Sequence, residues 1–127
     1  MAVILDTNAV SALLAGDSAL GEVLEAKPLH HLPVIVIGEY RYGVARSKHR
    51  RRLERLLELL VRESIVLLVD EETTRHYATV REKLRRAGSP IPENDVWIAA
   101  LAQQHGEPIV SRDRHFDLVD ASLRVGW

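Results

Sequence analysis

The sequence predicts a three-layer α/β/α fold around a short, mostly parallel central sheet of four to five strands. Three features point there: segments of strand and helix character alternate, the strand segments are short, and several are apolar at every position. A strand with one wet face alternates apolar and polar residues. A uniformly apolar strand needs cover on both faces, which helices on either side of a parallel sheet supply.

Ala2 to Leu5 is wholly apolar, ends in Asp6, and reads as a buried parallel strand. Asn8 to Ala26 reads as one or two helices broken near Gly16-Asp17-Ser18, with Ser18 as a cap. Leu29 to Val34 is a second strand, disturbed by Pro33. Ile35 to Ser47 is expected to be helical, with Ile37, Tyr40 and Val44 on one face. In the helix after it, Leu53, Leu56, Leu57 and Leu60 follow amphipathic spacing, and Glu58 stands four residues before Arg62 on the outer face. Ser64 to Val69 is a third strand, rich in β-branched and apolar residues. Asp70 then caps a helix from Glu71 to Ala87, closed by Gly88, with Tyr77, Val80 and Leu84 as its buried stripe. Ser89-Pro90-Ile91-Pro92 is a rigid loop. Asn94 is expected to cap a helix that runs to His105 and closes at Gly106; it is apolar almost all round, so it should be deeply packed. Pro108 to Ser111 makes a fourth strand and Leu123 to Val125 a short fifth.

A chain of 127 residues matches one domain, residues 1–127, and has neither an internal repeat nor a linker. With no cysteine, it has no disulfide, no thiolate zinc site and no thiol nucleophile. The apolar run at the N-terminus is too short for a secretory signal and has no basic residues before it. No apolar run approaches the roughly 18 residues of a membrane span. The expectation is a cytoplasmic protein that does not enter membranes. Its 17 basic and 18 acidic residues leave a net charge of -1, so any binding to nucleic acid must rely on local clusters of cations. Three exist: Arg46, Lys48, Arg50, Arg51, Arg52 and Arg55; Arg85 with Arg86; and Arg112 with Arg114.

In open parallel sheets, ligands bind beyond the carboxyl ends of the strands. Asp6 directly follows the first strand and Asp113 closely follows the fourth. Glu39 lies early in the helix after the second strand, and Asp95 in the first turn of the most apolar helix. Each acid alone has an ordinary explanation, such as a turn, a helix end or an exposed face. Together they describe one mouth. Clustered carboxylates repel and raise one another's pKa unless cations occupy the cluster, and hard ions such as Mg²⁺ or Mn²⁺ take oxygen ligands. Two such ions can clamp the attacking and leaving oxygens of a phosphodiester.

The motifs themselves resemble a known family. Leu5-Asp6-Thr7-Asn8, Val36-Ile37-Gly38-Glu39-Tyr40-Arg41-Tyr42-Gly43, Ile91-Pro92-Glu93-Asn94-Asp95-Val96-Trp97-Ile98 and Ser111-Arg112-Asp113-Arg114-His115-Phe116 resemble, in order and spacing, the four motifs of PIN-domain nucleases. With the closing Leu123-Arg124-Val125, the likeness spans nearly the whole chain and is nearest to the VapC-type toxins of toxin–antitoxin pairs. The resemblance implies that Asp6, Glu39, Asp95 and Asp113 bind metal and carry catalysis. It implies that Asn8 and Ser111 orient carboxylates, with Asp117 a peripheral candidate. It further implies Mg²⁺ or Mn²⁺ dependence, endonucleolytic hydrolysis of RNA by metal-activated water, a homodimer, and inhibition by a small antitoxin protein.

Arg112, Arg114 and His115, around Asp113, are the candidate substrate contacts. The other histidines, His30, His31, His49, His76 and His105, lack zinc-site spacing and are expected on surfaces or in packing. Two other readings remain open. A catalytically inert PIN-like domain that only binds a partner would keep the fold without Mn²⁺-dependent cleavage. A phosphorylated receiver-type signalling module would use Asp70 after the third strand. It also needs paired acids after the first strand and a lysine near the last, where this chain has Asp6 alone and no lysine after Lys83.

Overall fold

The computed structural model describes residues 2–26 and 29–127. In chain order the elements are β1 (Ala2–Leu5), α1 (Thr7–Leu14), α2 (Ser18–Glu25), β2 (Leu29–Pro33), α3 (Val34–Val44), α4 (Arg50–Glu63), β3 (Ile65–Leu67), α5 (Glu71–Ala87), α6 (Glu93–His105), β4 (Ile109–Val110), a 3₁₀ turn (Arg114–Leu118) and β5 (Arg124–Val125). The strands form one parallel sheet in the order β3-β2-β1-β4-β5. The chain therefore winds outward from β1 to β3, then crosses back to β4 on the other side. Right-handed crossovers in opposite directions place their helices on opposite faces. The helix contacts agree: α1 packs with α2, α3 and α4, and α5 packs along α6. This is the three-layer α/β/α architecture expected, with five strands.

β1 is central because it is the most apolar. Val3, Ile4 and Leu5 are fully buried, as are Ile109 and Val110 beside them. Each such side chain stabilises the fold by about 1.5–3 kcal/mol. α6 supplies the other half of the core, with Val96 and Ile98 to Ala102 buried. Three of those positions are alanine. The stripes on the other helices are Val36, Tyr40 and Val44 on α3, Leu57 and Leu60 on α4, and Val80 and Leu84 on α5. Ile37 and Tyr77 are only partly buried against this core.

Three local expectations are corrected. Asp17, not Ser18, caps α2: its carboxylate accepts from the Leu20 amide at 3.0 Å. Asn94 does not cap α6. The helix begins two residues earlier than a cap at Asn94 would give, at Glu93 after Pro92, whose carbonyl accepts from the Asp95 and Val96 amides at 3.0 and 3.2 Å. β3 ends at Leu67 and does not reach Val69, because its partner β2 stops at Pro33, in register with Leu67. Asp70 forms a reciprocal capping box with Thr73, and Gly88 and Gly106 close their helices in the left-handed region, both at φ 65. A Cβ is disfavoured there, so glycine is the natural stop. Among the described residues, no helix is long and apolar enough to cross a membrane.

Candidate active site

The order of the strands decides where the site is. β1 and β4 are neighbours in the sheet whose chains leave toward opposite sides, the switch point at which a crevice opens. Leu5 pairs in register with Val110, so the next residues, Asp6 and Ser111, leave the sheet side by side. Asp6 is 2% exposed. Its Oδ1 accepts from the Ala9 amide at 2.8 Å, which also caps α1, and its Oδ2 accepts from the Ser111 hydroxyl. The fully buried Ser111 in turn accepts from the Asp113 amide at 2.9 Å. One hydroxyl thus ties the end of β1 to the turn after β4.

Asp113 and Glu39 are held in the same manner, each by a polar side chain close to Asp6 in sequence, and Asp95 stands against a residue close to Asp113. The Asn8 amide donates to Asp113 Oδ2 at 2.6 Å. The Thr7 hydroxyl donates to Glu39 Oε1 at 2.8 Å. His115 Nε2 lies 2.9 Å from Asp95 Oδ2, and its ring meets Phe116 edge-on. Glu39 reaches the site from the middle of α3, and Asp95 from the third position of α6.

These groups are close enough to feel one another. Burial pushes the Asp6 carboxyl up to about 6, and the charges of Asp113 and Asp95 add to it, against the lowering effect of its two hydrogen bonds. Burial also raises Asp95. His115 opposes that rise, and the Glu39 and Asp113 carboxylates reinforce it. All four acids therefore belong to one electrostatic unit. One donor atom from each of Asp95, Asp113 and His115 lies within 4.8 Å of the other two. Oxygen donors that repel one another and resist ionisation suit a divalent cation, which relieves the repulsion by occupying it.

The other candidates lie as follows. Asp117 turns to Arg124 in a two-pronged ion pair at 3.0 and 3.2 Å. Arg112 lies 3.0 Å from Asp17 and 4.7 Å over the Trp127 ring, while Arg114 is exposed at the start of the 3₁₀ turn. His31, half-buried in β2, pairs with Glu107 at 2.5 Å, and His76 lies 3.4 Å from Glu72. Asp70 accepts from Thr73 and Gln104 at 3.0 and 3.1 Å, and those bonds hold its carboxyl below the usual range. It is thus engaged as a helix cap at the sheet's edge strand. Sequence reasoning passed over Thr7 as a support for Glu39. Its only signal was its place between Asp6 and Asn8.

Comparison with known proteins agrees with this geometry. Residues 3–122 match the family described as PIN domain. The VapC ribonuclease Y4jK of Sinorhizobium fredii is 31% identical over 121 residues, which cover 87% of this chain and 86% of that protein. A crystal structure of VapBC-5 from Mycobacterium tuberculosis, a member of the VapBC family of toxin-antitoxin systems, superposes with TM-score 0.76 at 29% identity, covering 98% of this chain and 96% of that one. The structure of VapBC2 from Rickettsia felis bound to a promoter DNA fragment superposes with TM-score 0.91 at 22% identity, over 100% of this chain and 99% of that one. From the sheet order, the acids at its switch point and these matches, the chain belongs to the PIN-domain family, among its VapC-type members.

Proposed function

We propose that the protein is a divalent-metal-dependent endoribonuclease that hydrolyses RNA phosphodiester bonds and acts as the toxin of a toxin–antitoxin pair. The observation that carries this reading is the convergence of Asp6, Glu39, Asp95 and Asp113 on one mouth, where Asp6, Glu39 and Asp113 are each fixed by a side-chain donor and His115 stands against Asp95. Structure alone gains nothing from repelling charges in one crevice, so a cationic ligand is their use. The likeness to ribonuclease VapC proteins supplies the substrate class.

In this reading Asp6, Glu39, Asp95 and Asp113 hold Mg²⁺ or Mn²⁺. When bound, the ion supplies Lewis-acid stabilisation of charge on the phosphate and favours hydroxide over water at neutral pH. The protein's own part is preorganisation. Ser111 keeps Asp6 and the Asp113 backbone at fixed separation, Asn8 and Thr7 stop Asp113 and Glu39 from swinging into solvent, and Asp6 is held further by capping α1. Arg114 is exposed and so can meet a phosphate, whereas Arg112 is committed to Asp17 and Trp127. Residues 1–127 would form one PIN domain, working in the cytoplasm as a homodimer and silenced by a small antitoxin. The VapBC assemblies it resembles support that partner.

The test is cleavage of RNA by purified protein with Mn²⁺ or Mg²⁺, beside the Asp95→Asn variant. The parent should cut and the variant should not, with unchanged circular dichroism. Equal cutting by both would remove the site assignment. No cutting by either, with metal present, would favour an inert domain that only binds partners.

A further inference from the structure

His115 stands out among the titratable groups around the mouth. It follows Asp113 by two residues, in a 3₁₀ turn anchored by the fully buried Phe116, whose ring it meets at a centroid distance of 4.8 Å and an angle of 63°. Its orientation is therefore set by packing. Nε2 is shielded from solvent and makes no aligned hydrogen bond, although the side chain as a whole is 26% exposed. That nitrogen points at the acids: it is 2.9 Å from Asp95 Oδ2 and shares the 4.8 Å cluster with Asp113. Neighbouring ligands of an octahedral ion, each about 2.1 Å from it, stand about 3 Å apart. The nitrogen and the oxygen already have the separation of two ligands on one ion.

We propose that His115 is a nitrogen ligand to the divalent ion held by Asp95 and Asp113, and that it tilts the site from Mg²⁺ toward first-row transition ions. The inference rests on the metal-dependent reading above and adds to it a ligand outside the four acids. Mg²⁺ favours oxygen donors and keeps its waters, whereas transition ions accept imidazole readily. Exchanging one oxygen for a neutral nitrogen therefore weakens Mg²⁺ more than Mn²⁺. An imidazole with its proton on Nδ1 would leave Nε2 free to bind.

The experiment is pulsed electron paramagnetic resonance on the full chain loaded with Mn²⁺, with calorimetric titrations of Mn²⁺ and Mg²⁺ alongside. The expected result is a directly coordinated ¹⁴N coupling that changes on selective ¹⁵N labelling of histidine and vanishes in His115→Gln. The same variant should lose about tenfold in Mn²⁺ affinity and much less in Mg²⁺ affinity. If Mn²⁺ binds without nitrogen coupling, or if the coupling survives in His115→Gln, His115 only pairs with Asp95. The proposal then falls while the acidic site stands. If neither ion binds the parent chain at millimolar concentration, the metal-dependent reading fails and takes this one with it. Should His115→Gln not fold, the labelled parent still decides whether a histidine binds the ion, and His115→Asn replaces it in the titrations.

Discussion

The Ser111 hydroxyl has two partners, and both belong to the acids. It donates to Asp6 and accepts from the amide of Asp113, inside a fully buried environment. Ser111→Ala should therefore cut RNA cleavage or metal affinity by about 10–100-fold, the usual toll for removing a group that orients a ligand. Ser111→Thr, which keeps the hydroxyl, should retain most of both. Equal loss in the two variants would mean that volume, not the hydroxyl, matters at this position. Thr7 offers a parallel case at lower burial. Its hydroxyl fixes Glu39 at 2.8 Å, so Thr7→Val should depress activity while Thr7→Ser preserves it. The motif resemblance gave Ser111 a carboxylate-orienting role but not its partners, and gave Thr7 none. A hydroxyl beside an acid in sequence carries no hint of which distant acid it serves.

The helices differ in how their ends are charged, and the difference has consequences. α5 follows the helix dipole, with Asp70 as cap, Glu71 and Glu72 in its first turn and Arg85 and Arg86 in its last. Asp70 has its carboxyl pKa lowered by the bonds from Thr73 and Gln104, so it contributes stability above the ordinary carboxylate range and loses it as pH falls through the lowered value. Asp70→Ala should accordingly lower the melting temperature by a few degrees at neutral pH, and the gap from the parent should close in acid. α4 breaks the dipole rule. It opens with Arg50, Arg51 and Arg52, has no acid in its first turn and no side-chain cap. Arg51→Glu should stabilise the free protein by about 0.3–1 kcal/mol in urea unfolding. If this basic end meets RNA, the same change should weaken binding and flatten its salt dependence. An unchanged salt slope would assign the cluster to solvent alone. α6 was the most readable element, because a helix apolar on nearly every face has nowhere to go but the core. Leu101→Ala there should cost about 2–5 kcal/mol.

At the scale of the whole molecule, the site clamps together β1, α3, α6 and the turn after β4, segments drawn from nearly the full length of the chain. An ion bound by groups that meet only in the native state stabilises that state by mass action, about 2.7 kcal/mol at a hundred times its dissociation constant. Mn²⁺ should raise the melting temperature by several degrees, chelation should reverse the rise, and Asp95→Asn should abolish most of it. A parent chain indifferent to millimolar metal would contradict the coupling. The sequence by itself determined the alternation of strands and helices, the burial of β1, the closure of α5 and α6 at Gly88 and Gly106, and the acids that leave the sheet edge. Those follow from local periodicity, burial and backbone freedom, which neighbouring residues settle among themselves. Only the tertiary structure decided that Ser111 meets Asp6, that Thr7 meets Glu39, that Asp117 is spent on Arg124, and that His115 turns inward to Asp95. The reason is range: such partners are fixed by the register of strands and the packing of helices far apart in sequence, and no local pattern encodes which of several equally suitable side chains the folded sheet will bring within reach.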